Sequence, residues 1–355
     1  MKLLVSCLEA SANLHFEQVL EHLPKCELKG IFDEKLGEPF MRSSEFSAMG
    51  FVEVLPLYFK AKRAVKEMTR LAEQCDAVLL IDSPAFNLPL AKAIKEAGIK
   101  TPVTYYILPQ VWAWKAGRVA KVEAYCDHLA SILPFDGMYF SRSRYVGHPL
   151  LDELRVRKNE LLQSGKIAFM PGSRRAEISR LMPIFREVAS QIKDKEKLLV
   201  VPPFLANDMQ IYGDVSGFRV VTDAPRALLQ SEFAFICSGT ATLQAALVGT
   251  PFVLAYKAKA IDIMIARMFV KLRHIGLANI MFDFMGEEAL HEELLQEEVT
   301  PSNLIKAYES CDKEKFIKGC EKLRKYLKHG SAASVAQIIM NIRIKNDRTD
   351  DAFRI

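Results

Sequence analysis

The chain has 355 residues, half of them hydrophobic and 26% charged, which suits two globular domains and excludes a disordered or low-complexity protein. Lys and Arg number 48 against 43 Asp and Glu, a net charge of +5; that excess is too small for a general nucleic-acid binder and suits an anionic substrate or membrane surface. The seven cysteines form no CxxC pair, which points away from a zinc site or a disulfide framework and toward a reducing compartment.

Taken in chain order, residues 3–8 read as a buried strand and 13–23 as the helix after it. The apolar start is too short for a signal segment and Glu9 interrupts it. No run of 18 apolar residues follows, so a soluble or peripheral intracellular protein is expected. Further strands are predicted at 28–32, 77–81, 103–107 and 129–133, with helices at 60–73, 88–97 and 116–125. A polar, charged segment at 151–165 separates this half from a second one. There, strands are predicted at 167–170, 198–201, 218–221, 233–236 and 252–255, with helices that include 176–193 and 240–248. Continuous apolar strands alternating with helices predict parallel sheets covered on both faces. Two doubly wound α/β domains follow, with ligands bound outside the carboxyl ends of the strands. Residues 332–344 form a helical pattern with Val335, Ile338, Ile339 and Ile342 on one face, which must dock somewhere; 346–354 are polar and expected to fray.

Two strand-to-helix turns of the second half carry anion-binding chemistry. The first reads Met170-Pro171-Gly172-Ser173-Arg174-Arg175-Ala176-Glu177 and the second Cys237-Ser238-Gly239-Thr240-Ala241-Thr242-Leu243-Gln244. Such turns expose N–H groups at a helix N-terminus, where the dipole attracts anions. Arg174 adds a bidentate fork, and Gln244 lies one turn in, placed for a ribose hydroxyl. Either turn alone is equally well read as a helix cap; the pair with an arginine favours a diphosphate. Neither is a P-loop nor a GxGxxG fingerprint.

In the first half, Ile81-Asp82-Ser83-Pro84-Ala85-Phe86-Asn87 ends an apolar strand. Asp82 there is either a general base for a sugar hydroxyl or a turn opener, and Asn87 either a helix cap or a substrate contact. Glu9, Ser11 and Asn13 are polar at the first βα turn, and His15 is a second candidate base or a packing residue. Trp112 and Trp114, the only tryptophans, follow the strand at 103–107 with Lys115 and Arg118 behind them. They line an acceptor pocket, anchor at a membrane interface or fill core. Residues 49–59, with Phe51, Val54, Leu55, Leu57 and Phe59, run into Lys60, Lys62, Arg63 and Lys66. An apolar patch beside basic residues suits an anionic leaflet, as does a second such stretch at 261–273, though each also reads as an ordinary amphipathic helix.

These blocks, with Val111-Trp112-Ala113-Trp114, Leu133-Pro134-Phe135-Asp136, Val146-Gly147-His148-Pro149 and Glu293-Leu294-Leu295-Gln296-Glu297, occur in the order of one family. Over nearly its whole length the chain resembles the lipid A disaccharide synthase family. The resemblance implies an α/β GT-B fold, two Rossmann-like domains facing a central cleft. Residues 1–155 would face acceptor and membrane, 156–330 would bind the UDP-sugar, and the helix at 331–345 would return to the first domain. It implies inverting transfer of 2,3-diacylglucosamine from UDP-2,3-diacylglucosamine to 2,3-diacylglucosamine 1-phosphate (lipid X), with release of UDP and with no cofactor or metal. It also implies residence on the cytoplasmic leaflet of the inner membrane of a Gram-negative bacterium, and some members dimerise.

The catalytic candidates are then Asp82, His15 and Glu9, with the base either Asp82 or His15. Donor contacts fall to Gly172, Ser173, Arg174, Glu177, Ser238, Gly239, Thr240, Gln244, Asn279, Glu293 and Gln296, and acceptor contacts to Ser11, Asn13, Asn87, Trp112, Trp114, Lys115 and Arg118. Three departures stand out. Leu8-Glu9-Ala10-Ser11-Ala12-Asn13 replaces the family's GETSGD, Gln244 stands where the family has Glu, and the loop at 279–287 is longer. The rival readings are another GT-B enzyme of UDP-GlcNAc, a cell-wall transferase or a 2-epimerase, and a membrane-surface lipid-binding protein without catalysis.

Overall fold

The computed structural model describes residues 1–47, 54–154, 156–158, 160, 163–258 and 272–352. The chain divides into two compact units, Met1–Asp152 with Leu327–Ile355, and Glu153–Tyr326.

The first unit is a parallel sheet of β1 (Lys2–Ser6), β2 (Glu27–Phe32), β3 (Met41–Arg42), β4 (Ala77–Ile81), β5 (Val103–Tyr106), β6 (His128–Ser131) and β7 (Ser143–Tyr145). Their spatial order is β3-β2-β1-β4-β5-β6-β7. The order reverses between β1 and β4, the switch point at which a doubly wound sheet opens a crevice. Burial explains the continuous apolar runs. Successive side chains of a strand leave opposite faces, so Val78 and Leu80 of β4 join the core on one face while Ala77, Leu79 and Ile81 join the core on the other.

The second of these cores receives the last helix, Ser331–Ala352. Its Ala332, Val335, Ala336, Ile339 and Ile342 are buried against Leu3, Val5, Phe16 and Ile81. Each fully buried Val or Ile contributes roughly 1.5–3 kcal/mol. The Asp152 carboxylate accepts from Gly330 N and Ala332 N, and the Tyr106 and Ser331 hydroxyls pair at 2.7 Å in the buried interior.

The second unit repeats the plan with β8 (Lys166–Met170), β9 (Glu196–Val200), β10 (Arg219–Val221), β11 (Phe233–Cys237), β12 (Phe252–Tyr256) and β13 (Glu292–Leu295). All pairs are parallel in the order β10-β9-β8-β11-β12-β13, and the switch point lies between β8 and β11. Aromatic rings fill one face: Phe169 stacks on Phe235 at 5.0 Å, with Phe185 and Phe218 edge-on to Phe169. Buried Lys158 ties the start of the unit to this sheet, donating to the Ser231 carbonyl and to Thr250 Oγ1.

The structure adds β3, β7 and β13 to the predicted strands. These edge strands are short, mixed in polarity and only partly buried, so they carry no apolar run. The helix predicted from residue 60 begins at Val54 and runs to Ala72. The last helix extends past residue 346 to Ala352, since extending a formed helix costs far less than nucleating one.

Candidate active site

Both switch points are bordered by turns flagged above. In the first unit, Asp82 leaves β4 with φ +50 and Ser83 follows with φ +42. Two consecutive left-handed residues that are not glycine cost about 1–2 kcal/mol each. Ser83 Oγ is buried and makes no hydrogen bond, and Ser83 is the N-cap of the helix Pro84–Glu96 without capping it. Ser83→Gly should therefore stabilise the protein by about 1 kcal/mol; a melting temperature unchanged or lowered would show that the backbone is not strained there.

Burial raises the Asp82 carboxyl above its ordinary range. Glu9 pushes it further up, while the Ser83 N–H and His15 pull it down. Glu9, His15 and Asp82 thus form one electrostatic group at the ends of β1 and β4. Glu9 and Ser11 are exposed, and Glu9 makes no capping bond to the helix Ala10–Glu21. A carboxyl raised by burial at the carboxyl end of a central strand is the kind of group that serves as a general base.

Asn13 and Asn87 are buried, and their polar atoms are spent within the scaffold. Asn13 donates to the Glu9 carbonyl and accepts from Asp33 N at 2.7 Å. Asn87 accepts from Ser6 Oγ at 2.6 Å and donates to the Ile81 and Asp82 carbonyls. Neither holds a free group for an acceptor. Trp112 packs edge-on against Phe135 and its buried indole N–H has no partner. Trp114 is 43% exposed, with Lys115 and Arg118 over its ring at 4.1 and 5.2 Å. That cluster is cationic and open to an anionic ligand.

Three buried groups shifted by burial make stability depend on pH. Burial lowers His148 to about 3, with His15 adding to the effect, and lowers His291 to about 4. Their ordinary value is 6.5, so between there and pH 3–4 the unfolded chain binds protons that the folded one does not. Stability must fall as pH drops through that window. Asp136 acts in the opposite sense. Burial raises its carboxyl from 3.8 to about 7, so between these values the folded state binds the extra proton and stability falls as pH rises. Melting temperature against pH should show Asp136→Asn stabilised at pH 8 and not at pH 4; equal shifts at both would exclude this role.

In the second unit the first turn needs its glycine. Gly172 has φ +104, and a Cβ there would lie 2.6 Å from Glu177 Oε2, 3.0 Å from Glu177 Cβ and 3.2 Å from Cys237 Sγ. Glu177 is buried at the third position of the helix Arg175–Gln191 and reaches back as the carboxylate of a capping box. Its Oε2 accepts from Ser173 N and Arg174 N at 3.3 Å, and its Oε1 from Arg174 Nη1 at 2.8 Å. The N–H groups expected to meet a diphosphate are therefore held by an internal anion. The rest of the Arg174 side chain is exposed.

The second turn differs. Gly239 has φ +148 in open space, no side chain caps the helix Thr240–Val248, and Ser238, Gly239 and Thr240 reach the surface. Gln244 is half-buried one turn along. This uncapped N-terminus offers the freer anion seat. β8 and β11 are neighbours, so the two turns lie side by side.

Asn279, Glu293 and Gln296 brace the backbone instead of standing free. Glu293 accepts from Ile275 N, Gly276 N and Asn279 Nδ2 at 2.8–3.0 Å and so holds the start of the helix Leu277–Met285. Asn279, fully buried, also accepts from Leu290 N and donates to the His291 carbonyl. The Gln296 amide, at φ +57, pairs with both main-chain groups of Ala258 at 3.2 Å. Sequence reasoning missed Ser6, Tyr105 and the buried state of Asp136; Tyr105 lies in an apolar run, and no local pattern marks its hydroxyl.

Of the apolar surface, Phe51 and the stretch 261–271 lie outside the described residues. Val54, Leu55 and Leu57 fall in the helix Val54–Ala72, on which Tyr58 and Phe59 are 61% and 62% exposed. Among the described residues no helix is long and apolar enough to cross a membrane.

Two parallel, doubly wound units, each with a strand-to-helix turn at its switch point, define the class by fold: the GT-B fold, found in glycosyltransferases and in UDP-N-acetylglucosamine 2-epimerases alike. The calicheamicin glycosyltransferase CalG4 shares the fold, with a TM-score of 0.59 at 14% identity over 96% of this chain and 98% of that one. The chain belongs to the lipid-A-disaccharide synthetase family, whose model matches residues 3–341. A lipid-A-disaccharide synthase of Campylobacter jejuni (strain RM1221) is 54% identical over 96% of this chain and 99% of its own length. One from Helicobacter pylori (strain J99) is 47% identical over 94% and 97%.

Proposed function

We propose that the chain is a lipid-A-disaccharide synthase that transfers 2,3-diacylglucosamine from UDP-2,3-diacylglucosamine to lipid X. The observation that carries this reading is the full-length similarity to relatives of that name, at 47–54% identity. In the transfer, Asp82 takes the proton of the acceptor's 6-hydroxyl as that oxygen attacks the anomeric carbon. The bond from that carbon to the diphosphate breaks, and its electron pair leaves with UDP. The raised Asp82 carboxyl beside Glu9 and His15 supports the base role. Arg174 and the uncapped N-terminus at Thr240 offset the charge on departing UDP, and Gln244 holds the ribose. The capping carboxylate of Glu177 argues that Gly172 and Ser173 shape the turn more than they bind phosphate. The Trp114, Lys115 and Arg118 cluster suits the acceptor's 1-phosphate, and the exposed Tyr58 and Phe59 beside Lys60 and Lys62 suit peripheral contact with the inner leaflet.

The test is incubation of purified protein with both substrates in detergent micelles, with UDP release and disaccharide formation measured together. Matched appearance of both products is expected. UDP release without disaccharide, or turnover of unacylated UDP-GlcNAc in preference, would refute the assignment.

A further inference from the structure

The Asp82 main chain is held by three residues from two elements, β5 and the helix Pro84–Glu96. Its carbonyl oxygen accepts from Tyr105 Oη at 2.7 Å and from Asn87 Nδ2 at 2.8 Å, which fills both lone pairs. Its N–H donates to the Tyr106 carbonyl at 3.0 Å. Asn87 is itself held by Ser6 Oγ and by the Ile81 carbonyl. Ser6, Asn87 and Tyr105 are all 0% exposed, so water cannot replace a lost partner. Strained backbone persists only where the surroundings over-determine it, and these bonds do so at Asp82.

We propose that Asn87 and Tyr105 are positioning residues for the transfer step, pinning the Asp82 main chain in its left-handed conformation and so fixing where its carboxylate is carried. A base must lie within hydrogen-bond reach of its proton, and misplacement by about 1 Å costs on the order of a hundredfold in rate. The inference rests on Asp82 being the base, and the experiment separates the two.

The variants are Tyr105→Phe, which removes one hydroxyl, and Ser6→Ala, which frees the far end of Asn87 and serves should the first not fold. Steady-state kinetics across pH are compared with Asp82→Asn. The expected result is a kcat lowered roughly ten- to a hundredfold, with unchanged Michaelis constants for both substrates. The acidic limb of the pH profile should stay in place, because the lost hydroxyl bonds the main chain and not the carboxyl. A folded Tyr105→Phe or Ser6→Ala protein with parental kcat overturns the proposal while leaving Asp82 as the base. A fall in kcat accompanied by raised Michaelis constants and a lowered melting temperature also overturns it, as general loosening. Parental kcat in Asp82→Asn removes the underlying reading instead.

Discussion

Asp82→Asn should lower kcat by about 10²–10⁴-fold, the usual contribution of a positioned base, while UDP still binds. The amide keeps the size of the side chain, so the fold should survive and the loss belong to chemistry. The pH dependence follows from the same site. In the proposed mechanism only ionised Asp82 accepts the proton, so kcat should rise with pH through a carboxyl raised above its ordinary range. Glu9 contributes to that elevation and His15 opposes it. Glu9→Gln should therefore move the acidic limb to lower pH and His15→Gln to higher pH. Shifts in the same direction would contradict the electrostatic group at the ends of β1 and β4. Parental turnover by folded Asp82→Asn would pass the base role to His15.

Gly172→Ala should destabilise the protein by roughly 3–5 kcal/mol, from a left-handed backbone that alanine resists and from overlap with packed neighbours. The nearest atom is the carboxylate end of Glu177, which can swing away, but Glu177 Cβ at 3.0 Å and Cys237 Sγ at 3.2 Å are anchored in the turn and in β11. Once displaced, Glu177 no longer caps Ser173 and Arg174, and Arg174 loses the partner that orients it. UDP affinity should drop at least about tenfold, about 1.4 kcal/mol. Calorimetric titration with UDP together with thermal melts reads both effects. A variant with parental melting temperature and parental UDP affinity would mean that the turn does not depend on this conformation.

The turns that border the switch points were legible because their signals are local. An apolar run ending in Asp82-Ser83-Pro84, and two Gly-containing turns opening helices, follow from strand burial and helix-terminus chemistry within about eight residues. The division of labour inside those turns was not legible. That Glu177 occupies the N–H groups of its own turn while Thr240 leaves its helix uncapped depends on side-chain reach across a folded corner. Asn279 and Glu293, 14 residues apart, satisfy each other and the backbone only because β13 returns beside the helix Leu277–Met285. The edge strands β7 and β13 escaped notice because an edge needs no continuous apolar run.

By itself the sequence determined the alternation of buried strands and amphipathic helices, the location of the charged turns and, through its motif order, the family. Those features rest on periodicity and on residues adjacent in the chain. The tertiary structure alone decided which polar side chains remain free for a ligand. Asn13, Asn87, Asn279 and Glu293 are spent on backbone groups, whereas Glu9, Thr240 and most of Arg174 are not. The reason is that buried N–H and C=O groups must be satisfied by whatever the fold brings within about 3 Å, and those partners come from strands and helices far apart in sequence.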